Sequence, residues 1–141
     1  MAMKVNGFQK LMRKIAKVPD VVKPRAQADM MLAGREINML QRSLAPQDDG
    51  VLRGSIRTEP LPDGEVGVQI LAGGEATTVT VRKSKKGNAP KYDYALGQEY
   101  GTEKMQANPF FWPGYRARKK RAMRRVRAGV KRSLKSLASK S

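Results

Sequence analysis

The 141 residues include no cysteine and no histidine. The first absence excludes disulfides, thiol nucleophiles and thiolate metal sites, and the second removes the commonest general base and most zinc sites. Charge of one sign is missing from a whole region. All twelve Asp and Glu residues lie at or before Glu103, among sixteen Lys and Arg, for a net charge of +4; the other thirteen Lys and Arg follow with no acid at all. Long apolar runs are missing too. No stretch approaches the roughly 20 residues that span a bilayer, and residues 1–17 interleave apolar side chains with Lys and Arg, unlike a signal peptide. A soluble protein made in the cytoplasm is the expectation. Aromatic residues are scarce and unevenly placed: six of the eight are Tyr94, Tyr100, Phe110, Phe111, Trp112 and Tyr115. Large aromatics dominate buried apolar area, so this stretch is expected to be core, interface or both.

What is present is a net charge of +17, concentrated at the C-terminal end. Such a single-sign field attracts polyanions and repels copies of itself, which points to nucleic acid or an acidic protein surface as partner. The length suits one domain, read in three parts: residues 1–45 helical, residues 46–112 sheet and aromatic motif, residues 113–141 a basic helix and tail.

Hydrophobic periodicity supplies the elements. Phe8, Leu11, Met12 and Ile15 recur at helical spacing over residues 8–17, and Met30, Ala33, Ile37, Leu40 and Leu44 do so along a second helix that opens between Asp20 and Pro24. Residues 55–58 and 65–71 alternate as strands joined by a loop over residues 60–64, and residues 76–82 form a third strand after Gly73 and Gly74. Residues 83–91, basic and broken by Gly and Pro, read as a surface loop. From about Pro113 to Leu137 the apolar positions Tyr115, Met123, Val126, Val130, Leu134 and Leu137 make a narrow helical stripe. The expected class is therefore α+β: two N-terminal amphipathic helices, a small antiparallel sheet of three or four strands between about Leu52 and Tyr100, and one long basic C-terminal helix.

Two groups of residues stand out as sites. Around the last stripe stand Arg116, Arg118, Lys119, Lys120, Arg121, Arg124, Arg125, Arg127, Lys131 and Arg132, a basic ridge facing DNA or a partner. Like charges at i,i+4 destabilise an isolated helix, so a helix of this composition gains from an anionic neighbour. Its stripe is too narrow, and too poor in bulky anchors after Tyr115, for membrane binding. Asp48 and Asp49 sit in a Pro-Gln-Asp-Asp-Gly turn with no third ligand at matching spacing, so they read as turn acceptors or partners of Arg53 rather than a metal or acid/base site. No nucleophile, base and orienting group stand out as a set, and no enzyme, cofactor or metal is expected.

The run Leu44-Ala45-Pro46-Gln47-Asp48-Asp49-Gly50-Val51-Leu52-Arg53-Gly54-Ser55-Ile56 and the run Tyr94-Ala95, Glu99-Tyr100-Gly101-Thr102, Lys104-Met105, Ala107, Pro109-Phe110 and Pro113 resemble the paired motifs of a tailed-phage family. These are neck, head–tail joining or tail-completion proteins, including the tenth gene product of a lambdoid siphophage and related to the minor tail protein Z of lambda. The resemblance follows the family's order over most of the chain, with Asp49 where the family usually has Thr and a terminal helix more basic than its pattern. It implies a structural virion protein at the head–tail interface, assembled in the host cytoplasm as a homo-oligomeric ring on the DNA channel. Its partners would be head-closure, tail-terminator or tail-tube proteins and packaged DNA, with no membrane. Pro46, Asp48, Gly50, Leu52, Arg53, Ser55, Tyr94, Ala95, Glu99, Gly101, Thr102, Pro109, Phe110, Trp112 and Pro113 would then be fold or subunit-interface residues. The alternative is a free-standing nucleic-acid-binding protein that uses the basic helix without sequence preference; the two differ in oligomeric state.

Overall fold

Two long helices form the spine of the protein, and the reason lies in which of their faces carry small residues. The computed structural model describes residues 3–7, 9–47, 50–80 and 91–139. Among them the order is β1 (Met3–Gly7), α1 (Gln9–Ile15), α2 (Lys23–Leu44), α3 (Val51–Ser55), β2 (Arg57–Pro60), β3 (Val68–Ala72), a 3-10 turn (Glu75–Thr77), β4 (Thr78–Thr80), β5 (Lys91–Asp93), α4 (Tyr94–Tyr100) and α5 (Phe111–Ser139). Helix α2 carries Pro in its first turn, where a missing N–H costs nothing, and buries Ala26, Met30, Ala33 and Ile37 completely. It packs against α5 on one side and against β2 and β3 on another. Gly34 makes the sheet contact possible: a Cβ there would lie 2.5 Å from the Thr58 side chain.

The main sheet runs β1-β3-β2, antiparallel throughout, with Ile70 of β3 opposite Val5 on one side and Thr58 on the other. As the central strand β3 is buried almost end to end, at Val68, Ile70, Leu71 and Ala72. A polar chain ties this sheet to the spine: Thr58 donates to Asn38 Oδ1 at 2.6 Å, Asn38 donates to Gln41 Oε1 at 3.0 Å, and Gln41 donates to the Phe111 carbonyl at 3.0 Å. Asn38 and Gln41 are almost fully buried, and these bonds satisfy them there.

The class is α+β as expected, but several elements differ. The described residues hold five α-helices rather than three, and the chain enters through a strand, β1, before its first helix. β1 is only five residues long and its pairing with β3 is non-local, so no local period marks it. The single expected sheet is two, because Gly73 at φ +86° and Gly74 at φ +125° turn the chain out of the first after Ala72; β4 then pairs with β5 separately, Val79 opposite Tyr92. Residues 51–55 form helix α3, entered through Gly50 at φ +81°, so the strand expected from Ser55 starts at Arg57. β3 starts at Val68 rather than Glu65, because Gly67 before it, at φ +155°, is held by Gln27 through bonds of 2.8 and 2.9 Å. Residues 94–100 are helix α4 rather than the sheet's margin. The basic helix starts at Phe111, which places Pro113 in its first turn. Asp48 and most of the expected basic loop, residues 83–90, lie outside the described residues, as do 81 and 82 of the expected third strand.

Candidate nucleic-acid interface

Helix α5 is fixed at its start by one carboxylate. Glu99, 4 % exposed, accepts from the backbone N–H groups of Phe110 at 3.0 Å, Phe111 at 2.7 Å and Trp112 at 3.3 Å. A helix start leaves its first N–H groups without partners, and an anion there also meets the positive end of the helix dipole. Glu99 reaches this place because Gly101, at φ +80°, ends α4 and folds the chain back; a Cβ at Gly101 would lie 2.9 Å from the Ala107 nitrogen. Thr102, itself exposed, closes the connecting hairpin by exchanging backbone bonds with Met105, and Asn108 donates to the Gln98 carbonyl at 2.7 Å. Phe110 and Phe111 are then fully buried in the core.

The other motif residues fix the turns around α3 and the start of α4. Arg53 grips the Ala45 carbonyl at 3.0 Å, Leu52 is buried, and Ser55 accepts from Gly73 N–H at 3.0 Å while donating to the Leu52 carbonyl. Asp93, directly before the second motif, caps α4 and holds the turn after β3: its oxygens take Ala95 N–H at 2.9 Å, Gly74 N–H at 3.0 Å and the Thr77 hydroxyl at 2.6 Å. Ala95 is fully buried, Tyr94, Pro46 and Pro113 are half-buried, and Pro109 is exposed. Trp112 is half-buried, and its indole N–H donates to the exposed Tyr100 hydroxyl at 2.8 Å.

Along α5 the ten expected ridge residues separate by direction. Arg116, Lys120, Arg124, Arg127 and Lys131 succeed one another at three- and four-residue steps on the exposed side, with no ion pair among the described residues. They span about 22 Å at 1.5 Å per residue, with exposed Lys135 continuing the row. Arg125 instead turns to α2 and pairs with Glu36. Arg118 and Arg121 border a groove of about 390 Å³ against Glu36, Met39, Leu40 and Ser43. Arg132 borders a second groove beside Val21, Val22 and Arg25, and Lys119 lies 5.7 Å over the Tyr115 ring.

The sequence reading missed Asp93 and the groove. An Asp directly before a helical stretch was a legible signal for the first, since Asp is a preferred N-cap. No local signal marks the second, which exists only because α2 and α5 meet. Among the described residues no helix is long and apolar enough to cross a membrane, and no three acidic side chains are grouped to hold a metal ion. Compared with known proteins, the chain matches no family model, no curated sequence and no solved structure.

Proposed function

We propose that the chain is a structural virion protein of the phage head–tail joint, a neck or tail-completion subunit that forms a homo-oligomeric ring around the DNA channel and connects head to tail. The observation that carries the reading is the row Arg116, Lys120, Arg124, Arg127 and Lys131: exposed, without an ion pair among the described residues, and set along a helix whose opposite face is buried against the body. A row of this kind suits phosphates rather than base edges, so contact with packaged DNA carries no sequence preference. The resemblance of the two motifs supports the same reading. Residues of the second motif, Glu99 and Phe110, build the seat of α5, which is the static part a precise joint requires. Head-closure, tail-terminator or tail-tube proteins are the neighbours this role requires.

The row by itself also fits a free-standing nucleic-acid binder, and oligomeric state separates the two. Native mass spectrometry and negative-stain imaging of the purified protein are expected to show rings, and duplex binding is expected to give a log–log salt slope of about −4 to −5 if five phosphates are neutralised. Replacing the five row residues by Gln flattens that slope while the rings persist. A monomer with the same slope establishes the free-standing binder, and a slope that does not change in the variant removes the row as a phosphate surface.

A further inference from the structure

The groove between α2 and α5 differs from the row beside it. Its floor is apolar, with Met39 68 % exposed and Leu40 half-buried, and Leu44 lies 41 % exposed one turn beyond. Its rim carries Arg118 and Arg121, neither of which has an ion-pair partner among the described residues, while the one acid present, Glu36, is already paired with Arg125. Two free guanidinium groups over an apolar floor fit a segment that is acidic and apolar at once, and a phosphate backbone offers nothing to the floor.

The chain carries such a segment, with exposed Pro62 between its half-buried leucine and its acids. The turn between β2 and β3 reads Leu61-Pro62-Asp63-Gly64-Glu65; its Gly64 N–H donates to the Leu61 carbonyl, and Asp63 accepts from Glu65 N–H at 3.0 Å. Asp63 and Glu65 are exposed and have no ion-pair partner among the described residues. Most other described carboxylates are committed: Asp20 to Lys23, Glu59 to Arg57, Glu36 to Arg125, and Asp93 and Glu99 to N–H groups. The turn cannot reach the groove of its own chain. Gln27 holds Gly67, at the turn's end, on the sheet side of α2, whereas the groove lies on the α5 side some 13 residues further along, about 20 Å away.

We infer that the groove receives the acidic turn of a second copy, so that Asp63 and Glu65 of one subunit meet Arg118 and Arg121 of the next. The inference rests on the ring reading above and supplies its subunit contact. The contact joins two different surfaces, so it is heterologous, and a heterologous contact propagates from copy to copy and closes into a ring when the rotation permits. It also offsets the self-repulsion of a chain with net charge +17, because an acidic patch there faces a basic one.

The absence of native cysteine gives a clean test with the full chain. In the double variant Met39→Cys/Pro62→Cys, the two thiols of one chain lie far beyond the roughly 7 Å Cα separation a disulfide tolerates. Mild oxidation is therefore expected to give a ladder of linked multimers, and an equal mixture of the two single variants is expected to give a linked dimer. Arg118→Glu/Arg121→Glu and Asp63→Lys/Glu65→Lys are each expected to weaken self-association about tenfold or more, and mixing the two to restore it. Wild-type rings with no linkage, or with the Arg118→Glu/Arg121→Glu variant still assembled, overturn this contact and leave the ring reading standing. A wild-type chain that stays monomeric by native mass spectrometry at high concentration overturns both. Loss of duplex binding alone in the arginine variant assigns the groove to nucleic acid and overturns the contact.

Discussion

The seat of α5 and the outer face of α5 belong to one helix and treat polar groups in opposite ways. In the seat, Glu99 is a buried carboxylate that takes three hydrogen bonds from donors of its own chain. On the outer face, five successive cations have no partner among the described residues. Buried polar groups left unpaired are costly, whereas exposed charges are solvated and cost little. The first region therefore spends its polar chemistry on holding a shape, and the second keeps its chemistry available for another molecule. Substitution in the seat is expected to register in stability, and substitution on the row in binding.

The sharpest way to break this comparison is to remove the seat's anion. Glu99→Ala leaves three N–H groups at the start of α5 without an acceptor, two of them buried, and is expected to cost about 3–5 kcal/mol in urea unfolding at about 1–3 kcal/mol per buried donor. Glu99→Gln retains one acceptor oxygen and is expected to cost about half as much. A melting temperature unchanged in Glu99→Ala eliminates the capping role.

The aromatic cluster provides a test of similar size. Phe110 is fully buried, and Phe110→Ala is expected to cost about 3–5 kcal/mol. Trp112 is half-buried and bonded to an exposed hydroxyl, so Trp112→Ala is expected to cost only about 1–2 kcal/mol, well below the value for a fully buried aromatic. Equal costs in parallel denaturant titrations refute the view that Phe110, rather than Trp112, anchors the helix.

Which cations point outward was not legible in the sequence, and the reason is specific. The apolar stripe read from periodicity used Met123, Leu134 and Leu137, but Met123 and Leu134 are half-buried and Leu137 is 36 % exposed. The face that docks on α2 includes Gly114, Ala122 and Gly129, small residues that let the helices approach and that hydrophobic counting passes over. Including them rotates the buried face and brings Arg118, Arg121 and Arg125 to its edge. The long helices α2 and α5 were legible because their periods repeat many times; β1 and α4 were not, one being short and paired non-locally, the other carrying a Gly in a seven-residue helix. A smaller stability effect follows from this face. In Gly114→Ala the new Cβ would lie 3.1 Å from the Gln41 Cα, backbone that cannot yield locally, and a loss of about 1–2 kcal/mol is expected despite the gain in helix propensity. In Gly129→Ala the obstacle is the carboxylate end of Asp29, which can swing away, so thermal unfolding is expected to shift little.

The smallest expected effect lies on the outer row, and its sign is the telling part. Arg116 with Lys120, Lys120 with Arg124, and Arg127 with Lys131 are like-charged pairs at i,i+4, each destabilising by roughly 0.2–0.5 kcal/mol when unscreened. Changing Arg116, Lys120, Arg124, Arg127 and Lys131 to Gln removes that repulsion without touching the seat or the Glu36–Arg125 pair, so thermal stability is expected to rise slightly at low salt. The wild-type protein is expected to approach the variant as salt is added, because the Debye length falls from about 30 Å at 0.01 M to about 8 Å at physiological ionic strength. The two melting curves should therefore converge with salt. A variant less stable than the wild type at every ionic strength means that the row already has partners inside the fold, and the contrast between the seat and the outer face collapses.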